Sequence, residues 1–220
     1  MELSAVEAGN GGFVINGETS YDVSGVSVSG AGDVNGDGLD DLIVGASGAD
    51  PNGDRSGASF VVFGKADGAT VELSAVKTGS GGFVINGVSP DGLSGVSVSD
   101  AGDVNGDGLD DLIVSSRFEN EIDRLYGASA GVFGKADGTA VELSDVRLGV
   151  GGFVLNGGLD TDIQPHSVSS AGDINGDGLD DLIVGIGFDG PNNEQSGNSF
   201  VVFGKNDGNA LDLSQLALNE

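Results

Sequence analysis

Three acidic dodecamers carry the residues most capable of chemistry: DVNGDGLDDLIV at 33–44, the same string at 103–114, and DINGDGLDDLIV at 173–184. Each offers oxygens at alternate positions. In the first copy these are the side chains of Asp33, Asn35, Asp37 and Asp41, with the backbone carbonyl of Leu39 between the last two. Gly36 and Gly38 permit the tight curl that turns the oxygens inward. Asp33, Asp37, Asp40 and Asp41 crowd four carboxylates into nine residues, and they repel one another unless a cation sits among them. Calcium takes about six to eight hard oxygen ligands, which such a loop can furnish with a water or two; magnesium demands a stricter octahedron. The second set is Asp103, Asn105, Asp107, Leu109 and Asp111; the third is Asp173, Asn175, Asp177, Leu179 and Asp181. The expectation is three Ca2+ per chain.

The opening D-x-N-x-D-G is also that of an EF-hand loop, which needs a bidentate Glu at its twelfth position and a helix on each side. The twelfth residue here is Val44, Val114 or Val184, and an apolar run surrounds it. Asp41, Asp111 and Asp181 must therefore close the cage. Asp40, Asp110 and Asp180 fall between ligand positions and read as solvated turn carboxylates.

The elements that position these loops repeat. Asp33, Asp103 and Asp173 are 70 residues apart, as are Phe63, Phe133 and Phe203. Self-similarity at a fixed period marks a repeat architecture. Each unit holds four candidate strands: GVSVSGAGDV, with the two-residue alternation of a strand; DLIVG, a continuous apolar run; SFVVFGK, β-branched and aromatic; and GGFVING, closed by an Asn-Gly turn. No stretch has an extended 3.6-residue period, and ELSAV could make a single helical turn. Four short strands per repeat with glycine-rich turns predict an all-β fold, a β-propeller of four-stranded antiparallel blades. The chain reads as a single domain over 1–220, with metal loops at 33–41, 103–111 and 173–181.

Of 220 residues, Lys and Arg contribute 8 and Asp and Glu 35, for a net charge of −27. That balance argues against nucleic acid and anionic membrane surfaces and favours cationic partners. No apolar run is long enough for a membrane span. The first residues lack the basic and apolar regions of a signal peptide, so the chain is either not exported by that route or a processed piece. There is no cysteine and one histidine, His166. QPHSVSS shows no nucleophile signature and zinc chemistry lacks ligands, so no catalytic residue is assigned.

D-x-N-x-D-G-x-x-D, then an apolar strand continuing as LIVGAS at 42–47, then VFGK at 62–65, resembles the FG-GAP repeat of integrin α-subunit propellers and their bacterial relatives. The second copy departs with LIVSSR at 112–117 and the third with LIVGIG at 182–187, while all three metal loops are intact. The resemblance implies calcium at the fifteen positions named above, an adhesion or protein-interaction role without catalysis, and an extracellular or cell-surface setting. Alternatives are a carbohydrate-active or carbohydrate-binding site on the same scaffold, or a structural segment of a larger surface protein.

Three blades cannot close a ring, since propellers use about four to eight. Residues 1–17 carry a last-strand sequence before any metal loop, and no GGFVING follows the third loop. Residues 1–17 are therefore expected to supply the outer strand that completes a C-terminal blade, with two chains forming one six-bladed ring as a homodimer. The rival is a segment of a longer array. A protein or glycan ligand would meet the face opposite the metal loops, where the turns differ between repeats; Arg117, Phe118, Arg124 and Tyr126 are the richest cluster there, with Tyr21 and Phe188 as lesser candidates.

Overall fold

The computed structural model describes residues 2–120, 125–157, 165–186 and 197–213. Among them, fifteen strands form four sheets, with three short helices. The expected four-strand unit is present in the first two full sheets. Sheet one contains β2 (Ser27–Gly32), β3 (Asp41–Ala46), β4 (Ala58–Val62) and β6 (Gly82–Asn86) as an antiparallel meander. Sheet two repeats it with β7 (Ser97–Gly102), β8 (Asp111–Asn120), β9 (Leu125–Val132) and β11 (Gly152–Asn156). A fifth strand joins each outer edge in parallel: β10 (Val141–Glu142) beside β6, and β15 (Leu211–Asp212) beside β11.

The two remaining sheets are smaller. β12 (Pro165–Gly172), β13 (Asp181–Ile186) and β14 (Asn198–Val202) form a three-stranded sheet with β14 at its edge. β1 (Ile15–Asn16) and β5 (Val71–Glu72) form a two-stranded one. The inner three strands of one blade and the outer two of another are thus present separately.

Local sequence explains each part. In β2 the Val-Ser alternation gives alternating exposure, and the strand then loses register between Gly30 and Gly32. Gly32 sits at φ +66°, Gly102 at +68° and Gly172 at +67°, a left-handed conformation that glycine adopts without penalty. That bulge swings the chain into the acidic loop. The ELSAV segments form helical turns at α1 (Leu3–Glu7), α2 (Leu73–Val76) and α3 (Leu143–Val146). Four residues are far too few for an isolated helix, so packing must supply the stability, and Leu73, Val76, Leu143 and Val146 are all buried.

The sheets stack face to face. Ile43, Val61 and Phe83 of the first meet Leu112, Val114 and Val132 of the second in one core. Ile113, Phe153 and Leu155 of the second meet Leu182, Val184 and Val202 in the next. The inner strands β2, β7 and β12 are neighbours in that order.

Candidate metal centre

Each acidic loop is the connection between an inner strand and the next, β2 to β3, β7 to β8 and β12 to β13. Its backbone wraps around the first aspartate. Asp33 Oδ1 accepts from the amides of Gly36 at 2.8 Å and Asp37 at 3.0 Å, and Oδ2 accepts from Gly38 at 2.8 Å. Asn35 Oδ1 accepts from the Asp37 amide and Asp37 Oδ1 from the Leu39 amide. Gly36 at φ +77° and Gly38 at φ +87° make this curl possible. The bonds recur around Asp103, Asn105 and Asp107, and around Asp173, Asn175 and Asp177.

The ninth-position aspartate is anchored differently. Asp41 begins β3 and is buried, taking the Val34 amide on Oδ2 at 3.1 Å and the Gly64 amide on Oδ1 at 2.7 Å. Asp111 and Asp181 repeat this with Val104 and Gly134, and with Ile174 and Gly204. The FGK turn therefore lies on the same face as the acidic loop. Burial pushes the Asp41 carboxyl up to about 6, and the charges of Asp37 and Asp33 add to the rise against the two amide donors. Asp111 is pushed up to about 7 by burial first, with Asp107 and Asp103 adding to it.

In the second loop the third, fifth and ninth positions converge. The Asn105 side-chain amide donates to Asp107 Oδ2 at 3.1 Å and to Asp111 Oδ1 at 3.5 Å. Asn175 donates likewise to Asp177 at 2.8 Å. Among the described residues no group of three or more acidic, His or Cys side chains is assembled as a closed metal cage. The residues nevertheless fit a hard cation: the donors are all oxygens, one carboxylate is buried at each loop's base, and the neighbouring charges that raise the proton affinity of Asp41 and Asp111 are aspartates. The expected ligand positions thus share one loop, held by backbone amides; Oδ1 of the first aspartate takes two of them, while its Oδ2 takes one and keeps a further lone pair.

One set of residues departs from expectation. Asp110 and Asp180 are not simply solvated. Asp110 Oδ2 accepts from the Asp33 amide at 2.7 Å, and the Asp110 amide donates back to the Asp33 carbonyl at 3.2 Å. Asp180 does the same with Asp103, at 3.0 and 3.1 Å. A second bond runs beside each pair, from the Lys135 amide to the Val34 carbonyl at 2.8 Å and from Lys205 to Val104 at 2.7 Å. The eighth residue of each later loop therefore clasps the first residue of the loop before it. Its recurrence in all three dodecamers is the one signal in the sequence.

The lysine of each FGK turn also has a fixed place. Lys65, Lys135 and Lys205 lie 5.0, 5.1 and 5.3 Å from the ring centres of Phe13, Phe83 and Phe153. Each pairs with the aspartate two residues on. On the opposite face, Tyr21 is almost wholly exposed at φ +75°, and Arg117 is exposed with its amide bonded to the Gly92 carbonyl. Arg124 and Phe188 lie outside the described residues, as do the side chains of Phe118, Tyr126 and His166. No helix among the described residues is long and apolar enough to cross a membrane.

The FG-GAP repeat matches residues 24–62, 95–137 and 165–202. Integrin alpha-7 of Rattus norvegicus is 30% identical over 151 residues, covering 68% of this chain and 12% of that protein. Integrin alpha-7 of Mus musculus is 32% identical over the same length. Integrin alpha pat-2 of Caenorhabditis elegans is 28% identical over 212 residues, covering 87% of this chain and 14% of that protein. The chain thus spans a small fraction of the length of these relatives.

Proposed function

The chain belongs to the FG-GAP repeat family and is integrin α-like in its repeats, and from that premise we propose that it is a calcium-stabilised β-propeller module that binds other macromolecules and catalyses nothing. The observation that carries this reading is the threefold recurrence of an all-oxygen loop built around a buried aspartate, Asp41, Asp111 or Asp181. Asp33, Asn35, Asp37, the Leu39 carbonyl and Asp41 would hold one ion, and their counterparts the other two. A bound calcium supplies positive charge where the carboxylates crowd, and the loop that closes on it fixes the bend between two strands. Partner binding is assigned to the opposite face, whose turns differ from repeat to repeat. An extracellular or cell-surface setting, where calcium is abundant, suits such loops.

The propeller ring is proposed to be a homodimer of six blades. The support is a pair of sheets that are incomplete among the described residues: β12–β13–β14 has no outer strands there, and β1–β5 no inner ones. Calorimetric titration with calcium chloride should count three sites per chain. Absence of any site would remove the calcium reading, and release of reducing sugar from a polysaccharide panel would overturn the non-enzymatic one.

A further inference from the structure

The contacts between successive repeats obey one rule: each recurs with both partners moved 70 positions on. Asp33 pairs with Asp110 and Asp103 with Asp180. Applied once more, the rule gives Asp173 a partner equivalent to Asp40. Among the described residues neither the Asp40 carboxylate nor the Asp173 amide has such a bond, and both residues are exposed while Asp110 and Asp180 are half-buried.

Other contacts of the junction are missing at the same two ends among the described residues. The Val34 and Val104 carbonyls take amides from Lys135 and Lys205; the Ile174 carbonyl and the Lys65 amide are left without that bond. A Cβ on Gly36 would stand 3.0 Å from Leu109, and one on Gly106 2.9 Å from Leu179; at Gly176 there is open space, and Leu39 is exposed. Val34 and Val104 are fully buried, whereas Ile174 is 59% exposed. Val98 and Val168 are 5% exposed, whereas Val28 is 67% exposed and lines a cavity of about 300 Å³ with Val44, Ile15 and Leu73. On the third sheet, Ile183 and Val201 are exposed, although Ile43, Ile113 and Val61 at matching places are fully buried, and Phe203 just beyond it is exposed where Phe63 and Phe133 are half-buried. Phe63 packs its ring 6.0 Å from Phe83 and Phe133 6.1 Å from Phe153; the corresponding partner of Phe203 is Phe13.

We infer that these two surfaces are the halves of one joint and that a second copy of this chain fills it, the Asp40 carboxylate of one copy accepting from the Asp173 amide of the other. This inference rests on the homodimeric ring proposed above and assigns its seam. At that seam, Lys65 donates its amide to Ile174, Leu39 covers Gly176, Phe13 meets Phe203, and residues 12–16 lie along β14. The register follows from Ala58 opposite Asn86 and Ala128 opposite Asn156, which places Asn198 opposite Asn16 of the second copy. The sheet so made has five strands in the order β5–β1–β14–β13–β12, matching both complete sheets. Each copy carries −27, so association is expected to strengthen as salt screens the repulsion.

The test uses the full chain, which has no cysteine. Copies with Asn16→Cys are mixed with copies with Asn198→Cys in calcium and moderate salt, then oxidised. The expected result is a disulfide-linked pair in the mixture and none from either variant alone. Asp40→Ala should raise the dimer dissociation constant at least tenfold in sedimentation equilibrium, with Asp40→Asn nearer wild type because its carbonyl still accepts. Both variants should keep the wild-type circular dichroism, because Asp40 is exposed. A wild-type monomer at saturating calcium, a dimer that fails to cross-link, or an Asp40→Ala variant that associates normally would each overturn the inference. A larger assembly that still cross-links would uphold the seam and overturn the six-blade count instead, while calcium titration reports on the loops independently.

Discussion

The Asp33 amide donates to the Asp110 carboxylate 2.7 Å away, across 77 positions of chain. The residue proposed as the first ligand of one loop is thus fastened by the eighth residue of the next. The proposed ion site and the packing between repeats therefore meet at Asp33.

Removing that fastening should be costly. A hydrogen bond to a charged group contributes about 1.5–3 kcal/mol, less where water screens it. Asp110→Ala is expected to lose about 1–2 kcal/mol by denaturant unfolding in calcium, and Asp110→Asn less. Equal stability of Asp110→Ala and wild type would mean that the bond contributes nothing.

The glycines at the bulges give a graded series. A Cβ on Gly32 or Gly102 would fall 2.1 Å from an oxygen of Asp110 or Asp180, while one on Gly172 meets open space. All three have positive φ, so alanine costs about 1–2 kcal/mol at each through backbone strain alone. Gly32→Ala and Gly102→Ala should exceed Gly172→Ala under conditions that keep the chain monomeric. Equal melting temperatures for the three would contradict the clasp geometry.

Chelation should lower the melting temperature markedly. An ion at one hundred times its dissociation constant stabilises by about 2.7 kcal/mol per site, and three sites act together. Scanning calorimetry with and without EDTA checks this; superimposable traces would remove calcium from the account.

The metal-free protein should lose stability as pH rises. The Asp41 and Asp111 carboxyls, raised to about 6 and about 7 from an ordinary 3.8, hold protons more tightly folded than unfolded. The native state therefore binds more protons between about pH 4 and 7, and stability falls across that window. Asp111→Asn should flatten the fall in EDTA, and calcium should reduce it in the wild type. A melting temperature in EDTA that climbs from pH 4 to 7 would contradict the burial of these groups.

Phe83→Ala should cost about 3–5 kcal/mol, as expected for a large fully buried side chain. Phe13→Ala should cost far less in the monomer, because Phe13 is half-exposed. Urea midpoints at low protein concentration compare the two.

That last contrast shows how far the sequence could be read. GGFVING stands at both 11–17 and 81–87. The second copy gives a five-residue strand with Phe83 fully buried, and the first pairs only through Ile15 and Asn16. Identical residues differ because β4 lies beside one and no antiparallel strand lies beside the other among the described residues. The period, the inner strands and the acidic bends were legible because each rests on local alternation, glycine placement or a recurring dodecamer. Two-residue strands such as β10 carry no period of their own. The role of Asp110 was hidden for a similar reason: within its own loop it is one aspartate among several, and its partner lies 77 residues away.

The bulge glycines, the loop aspartates and the FGK turns all recur at one spacing, so the joint between neighbours is interchangeable. Excising residues 71–140 would leave the two faces of the proposed seam in the same register and would alter only how many units make the proposed circle. Excising one residue more would turn each following side chain to the wrong side of its strand. Unit number can therefore drift through whole duplications and losses, while the length of a unit is held fixed to a single residue.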